Sequence, residues 1–201
     1  MPKTPSSVPL KKPETARVHL SPTSGTARLF LALMPGEAMK AGLAKHCEQW
    51  HWPADAARYA PVDWHITLHF MGSVPHQRLD ELRAGLAVPF TPFDLRLGLP
   101  ELWPHGLAVL CPEAVPEALQ HLYADLGYAV LGLGLRTDPR RFRPHLTLAR
   151  HAAQARAPLL HPALDWQVEA YVLMASTGDV RQRYRVLQRY GDTGAKSRHL
   201  F

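Results

Sequence analysis

WHITLHF at Trp64–Phe70 and PHLTLAR at Pro144–Arg150 write one pattern, His-x-Thr-Leu, twice in a single chain of 201 residues. In a chain of this composition such a pattern seldom repeats by chance. Both copies sit in apolar runs of strand length. In extended backbone His65 and Thr67 therefore share one face, while Ile66, Leu68 and Phe70 share the other. The second copy divides alike: His145 and Thr147 on one face, Leu146 and Leu148 on the core side. One such strand in each half predicts two related lobes that bring two imidazoles and two hydroxyls to a common cleft.

Working outward, RLFLAL from Arg28 reads as a strand that stops at Pro35-Gly36, and Met39, Leu43, Cys47 and Trp50 then recur at helical spacing. Glu37 complements the N-terminal dipole of that helix. The first motif strand ends at Gly72, and a helix is expected from Pro75 to about Leu86, with Leu79, Leu82 and Leu86 on one side. Residues 90–111 alternate around a Gly-Pro-rich middle, as a pair of strands would. A further helix is expected from Pro116 to about Leu126. After the second motif strand, VEAYVLMAS and RYRVLQRY close the chain as two strands around a Gly178 turn. The element order is that of an α+β fold.

Residues 1–27, rich in Pro, Ser, Thr and Lys, follow neither apolar period and read as a flexible N-terminal tail. The folded unit is expected over 28–192, with 193–201 a C-terminal tail. A hydrophobic content of 46% and a charged content of 20% are those of an ordinary globular protein. No run approaches a membrane span or a secretory signal core, so the expectation is a cytoplasmic chain without membrane attachment. Two cysteines, Cys47 and Cys111, are too few for a disulfide framework and lack zinc spacing; they read as small buried hydrophobes. A formal net charge of +6 leans toward an anionic partner. No obligatory protein partner is evident.

Two histidines across a cleft suit a reaction in which one imidazole takes a proton from an attacking oxygen and the other gives one to a leaving oxygen. Threonine hydroxyls donate to anionic oxygens without adding charge, and arginine offers a planar fork for phosphate. The stretch RTDPRRFRPHLTLAR sets Arg136, Arg140, Arg141, Arg143 and Arg150 around the second histidine. Phosphoester cleavage without metal or cofactor fits these parts. A lone strand histidine is usually structural, and a charge cluster is usually a solvated face; the repeat singles out His65 and His145. A metal held by His65, His69 and His145 is the competing reading, but no Asp, Glu or Cys stands at ligand spacing beside either motif. His69 is then expected to line the cleft as a polar residue. Alternation sends Arg150, five residues after His145, to the face opposite the imidazole unless the strand ends, twists or bulges.

The paired motifs, together with RLFLAL, HITLHFMG, PHLTLAR and STGDVRQRYRVL, resemble the 2H phosphoesterases, in particular the RNA 2′,3′-cyclic phosphodiesterases also called 2′-5′ RNA ligases. The similarity runs over most of the chain from about Arg28; FMG stands where that family often has Phe-Leu-Gly. The resemblance implies a bilobal α+β fold, two pseudo-symmetric lobes whose antiparallel sheets line a central cleft with helices outside. It also implies metal-free hydrolysis of a 2′,3′-cyclic phosphate on RNA ends or nucleotides to a 2′-phosphate, reversible as 2′-5′ joining. By the same resemblance His65 is the proton donor and His145 the proton acceptor, and Thr67, Thr147 and Arg150 bind the substrate. Phe30, Trp64, Trp103, Tyr171 and Tyr184 are candidates to stack on a base. The alternatives are a 2H phosphoesterase acting on another nucleotide phosphodiester, and a module that grips RNA ends without cleaving them, for which Lys or Arg would serve better than paired histidines.

Overall fold

The computed structural model describes residues 25–179 and 182–191. In chain order its elements are β1 (Thr26–Leu33), α1 (Glu37–Glu48), β2 (Ala57–Arg58), β3 (Ile66–Pro75), α2 (Leu79–Gly85), β4 (Phe93–Trp103), β5 (Leu107–Pro112), α3 (Glu117–Gly132), β6 (Leu146–Arg150), β7 (Leu164–Val168), β8 (Tyr171–Ser176) and β9 (Tyr184–Tyr190). Thr26 and Ala27, expected in the N-terminal tail, open β1; residues 1–24 of that tail and 193–201 lie outside the described residues.

The strands form one antiparallel sheet in the order β7-β4-β5-β6-β3-β1-β8-β9, with the short β2 also on β6. The two motif strands are neighbours at its centre, and their ladder holds one paired position, Ile66 with Leu146. That narrow seam divides the sheet into two four-stranded lobes, β3-β1-β8-β9 and β6-β5-β4-β7. Strand-helix-strand order repeats across it, β1-α1-β3 against β5-α3-β6, and in each set the motif strand lies beside the strand that opens the set. The expected facing lobes are thus two wings of a single curled sheet.

Lobes and sequence halves do not coincide. After β7, at the outer edge of the second lobe, the chain returns to add β8 and β9 to the first. VEAYVLMAS is accordingly two strands and not one, because β7 ends at Val168 and β8 begins at Tyr171. The helices also cross over. Helix α1 packs against β7, so closely that a Cβ added at Gly42 would lie 3.2 Å from Leu164 Cδ2. Helix α3 packs against β3, with Gly127 set against the His69 ring. It continues through that glycine to Gly132, beyond the expected end near Leu126.

The main core lies between the sheet and the helices. Leu29, Leu31 and Leu33 of β1 enter it together with Met39, Leu43, Leu82, Leu119 and Leu126 from the helices. Each fully buried leucine contributes roughly 1.5–3 kcal/mol by area bookkeeping. On the other face of the sheet, Phe30, Ala32, Val172 and Met174 form a smaller apolar cluster beneath the cleft.

Tyr171 ties the first lobe to the segment after α2. Its ring is fully buried and stacks on Tyr190 at 4.8 Å between centroids. Its hydroxyl accepts from the Val88 N–H at 2.8 Å and donates to the Leu86 carbonyl at 3.0 Å. Tyr171→Phe leaves both partners without this bond, and is expected to lower unfolding stability by about 1–3 kcal/mol in a denaturant titration.

Candidate active site

Both motif strands break alternation at the same place. On β3, Ala32 pairs with Thr67 but Leu31 pairs with His69, so Leu68 is an extra, bulged residue. On β6, Val109 pairs with Thr147 but Ala108 pairs with Ala149, so Leu148 is bulged in the same way. A bulge adds one residue to one strand, and every later side chain changes face. His65 and Thr67, before the bulge, keep the expected face; His69 and Phe70 on β3 and Arg150 on β6 do not, and a second bulge at Met71 restores the original faces further along β3.

Three consequences follow. His69 does not line the cleft: it is buried against α3, where its Nε2 bonds the Tyr123 carbonyl at 2.7 Å and its ring stacks on Tyr123 at 4.1 Å. The His65, His69 and His145 set considered for a metal is therefore not assembled. Phe70, expected in the core, is exposed on the cleft face opposite Phe30, with the Arg28 guanidinium 5.4 Å from its ring. Arg150 turns to the cleft face, so the five-residue spacing no longer sets it apart from His145. Phe70 and Arg150 occupy equivalent places in the two lobes, which puts a charge beside one histidine and an aromatic ring beside the other.

His65, Thr67, His145, Thr147 and Arg150 line one pocket of about 210 Å³, with Tyr59, Asp63, Leu107 and Tyr184 completing its walls. The antiparallel sense about Ile66–Leu146 sets His65 alongside Thr147 and His145 alongside Thr67.

The two imidazoles are anchored identically. His65 Nδ1–H donates to the Asp63 carbonyl at 2.7 Å, and His145 Nδ1–H donates to the Arg143 carbonyl at 2.7 Å. A carbonyl only accepts, so Nδ1 carries the hydrogen in each ring and Nε2 remains to take or give a proton. Aromatic rings fix the ring planes: Phe30 at 5.1 Å and Tyr184 at 4.9 Å from His65, and Trp103 at 4.3 Å from His145.

Burial holds His65 below its ordinary 6.5; the Asp63 carbonyl opposes that shift and His145 adds to it. Burial likewise lowers His145, opposed by the Arg143 carbonyl and reinforced by the Arg143 guanidinium. Their mutual repulsion disfavours the doubly protonated pair.

Four residues that the motifs did not single out for phosphate handling surround the pair. Tyr184 is hydrogen-bonded with Tyr59, and burial, reinforced by that neighbour, pushes its hydroxyl up to about 12, so it stays a neutral phenol. The buried Asp63 lies 3.6 Å from Arg183, and burial raises its carboxyl against the pull of that guanidinium. Arg183 and Arg150 sit 5.0 Å and 5.9 Å from the Tyr59 ring. Tyr184 carries a sequence signal in the late STGDVRQRYRVL, a stretch that also holds Arg183, and Asp63 stands two residues before the first motif histidine; Tyr59 carries none.

Of the arginine cluster, Arg140 is paired with Asp138, and Arg143 lies 3.3 Å from Glu101 and 4.4 Å over the Trp103 ring. Among the stacking candidates, Phe30, Trp64 and Tyr171 are buried, and Trp103 and Tyr184 flank the histidines.

A family model described as the 2′-5′ RNA ligase superfamily matches residues 38–180. The RNA 2′,3′-cyclic phosphodiesterase of Escherichia coli is 30% identical over 175 residues, covering 83% of this chain and 97% of that protein. The protein of the same name from Thermus thermophilus is 29% identical over 193 residues, covering 85% and 93%. A third, from Geobacillus stearothermophilus, is 39% identical over 108 residues, and this match spans 34% of its length. Among solved structures, E. coli LigT complexed with 3′-AMP superposes with a TM-score of 0.71 at 25% identity, covering 84% of this chain and 99% of that one. Among the described residues no helix is long and apolar enough to cross a membrane.

Proposed function

The chain belongs to the 2′-5′ RNA ligase superfamily, and from that premise we propose that it is an RNA 2′,3′-cyclic phosphodiesterase, hydrolysing the cyclic phosphate of RNA ends or nucleotides to a 2′-phosphate. His145 takes the proton of the attacking water at Nε2, and His65 delivers a proton from Nε2 to the departing 3′ oxygen. Thr67 and Thr147 donate hydroxyl hydrogens to the phosphate oxygens, and Arg150 gives the charge-assisted fork. A cytoplasmic location, where RNA ends are processed, goes with this reading.

The observation that carries it is the pairing of two identically anchored imidazoles in one small polar pocket. The side-chain asymmetry supports the direction of proton flow. The Arg143 guanidinium lies on the His145 side and favours a neutral imidazole there, as a base requires, against the smaller opposing charge of Glu101. A bound phosphate anion raises both imidazoles, which suits the acid.

The test is to follow a 2′,3′-cyclic nucleotide by phosphorus NMR with a chelator present; the expected product is the 2′-phosphate alone, formed at an undiminished rate. Unchanged substrate in the presence of measurable binding would favour a module that only grips RNA ends. The pH profile has a defined sign. Since kcat/KM reports the free protein and both histidines lie below 6.5 in it, its bell is expected to peak on the acidic side of 6.5. Above the peak the acid has lost its proton, and below it the base has gained one. The kcat profile is expected to move alkaline, because bound phosphate favours the imidazolium form. A kcat/KM maximum above pH 7 would contradict the assignment.

A further inference from the structure

His145 is one member of a closed ring of contacts that lies outside the phosphate pocket. Glu101 and Trp103 stand two residues apart near the end of β4, so their side chains share a face. Glu101 pairs with Val109 on β5, which pairs with Thr147 on β6, so that face is the cleft face. There Glu101 Oε2 accepts from Trp103 Nε1–H at 2.6 Å and from Arg143 Nη2–H at 3.3 Å. The Trp103 ring packs on the His145 ring at 4.3 Å, and the Arg143 carbonyl accepts the His145 Nδ1–H at 2.7 Å. Arg143 Cζ stands 4.4 Å from the indole centroid, which closes the ring. In the first lobe Phe30 and Tyr184 flank His65 instead.

Resting on the phosphodiesterase reading above, we infer that Glu101 is a positioning residue for the general base: one carboxylate oxygen fastens both groups that hold the His145 ring, the indole against its face and the residue whose carbonyl takes its Nδ1–H. A single hydrogen bond at Nδ1 leaves an imidazole free to tilt, since its χ2 well is broad. To take a proton from water, the Nε2 lone pair must point at that water. The indole stops the tilt, and the bond to Glu101 sets the indole. Glu101 does not line the phosphate pocket, so it acts through His145.

The carboxylate also works by charge. Arg143 disfavours the His145 imidazolium, and Glu101 offsets part of that effect. From the pocket side His145 faces His65, with Tyr59, Asp63, Arg150 and Tyr184 in the same walls. From behind it faces Arg143 and Glu101. The thiol of Cys111, which also bonds Glu101, is pushed up to about 12, chiefly by burial, and stays neutral.

Two substitutions separate orientation from charge. Glu101→Gln keeps an oxygen for the indole N–H and loses the charge, whereas Glu101→Ala loses both. With the full chain and a 2′,3′-cyclic nucleotide, Glu101→Ala is expected to lower kcat about tenfold at a KM near the parent's, and Glu101→Gln to recover most of that loss. In an NMR titration of the His145 ring, Glu101→Gln is expected to move the midpoint acidic by a few tenths of a pH unit, and Arg143→Gln to move it alkaline. The acidic limb of kcat/KM should follow His145 in each variant, and molar salt should shrink both shifts. A Glu101→Ala protein with the parent's kcat would overturn the inference. So would an equal loss in Glu101→Ala and Glu101→Gln with the His145 titration unmoved, the pattern of a carboxylate that serves stability alone. Failure of the phosphodiesterase reading is told apart by the parent, which would then not turn over the cyclic phosphate at all.

Discussion

His145→Ala and His65→Ala are each expected to cut kcat on a 2′,3′-cyclic nucleotide by about 10²–10⁴-fold. Each ring is hydrogen-bonded through Nδ1 to the backbone of the segment that leads into its own strand, at Arg143 and Asp63. Removing one therefore leaves the opposite half of the pocket in place, and the loss belongs to proton transfer rather than to folding. The double variant is expected to lose little more than either single one, because an acid without its base completes the displacement no better than neither. Such non-additivity is what a merely structural pair of histidines would not produce; two independent packing defects would multiply. Steady-state kinetics on the four proteins, with melting curves as a control, decide between these outcomes.

The second large effect is expected at Arg150. Arg150→Ala should lower kcat/KM by about 10- to 100-fold, the loss of a charge-assisted hydrogen bond to an anion. Arg150→Lys should recover part of it, since the charge returns without the fork. Activity should also lose some of its sensitivity to salt. These expectations rest on the bulge at Leu148, which turns the guanidinium onto the histidine face. Were β6 a regular strand, Arg150 would point toward the helices, and its replacement would disturb stability and spare catalysis. Comparing kcat/KM with melting temperature in Arg150→Ala separates the two cases.

That bulge also marks where sequence reasoning runs out. The repeated His-x-Thr-Leu, the strand-helix alternation and the facing hydroxyls were legible because each depends on residues within one turn or one strand. Alternation places His69 and Phe70 on the wrong faces because it is counted along one strand, whereas a bulge is a relation to the neighbouring strand. The break between β7 and β8 is hidden for a related reason: Val168 and Tyr171 are both strand formers and both buried, and only the partner strand changes between them. Tyr59 and Asp63 reach the pocket wall, and Arg183 reaches the two of them from behind, through folding alone. Asp63 is nevertheless where a local signal existed, two residues before His65, just as Arg143 stands two before His145; in both motifs that residue supplies the anchoring carbonyl.

The crossed helices carry a consequence for any attempt to cut this protein in two. A fragment ending between the motifs holds β1 and β3 but not β8 and β9, and its α1 has lost the strand it leans on. Its complement holds β4 to β9, with β8 cut off from its neighbour β1 and an α3 whose resting place went with the other piece. Neither fragment owns a complete hydrophobic layer, so co-expressed pieces should regain activity only by wrapping around each other, which makes the chain a natural scaffold for split-reporter complementation.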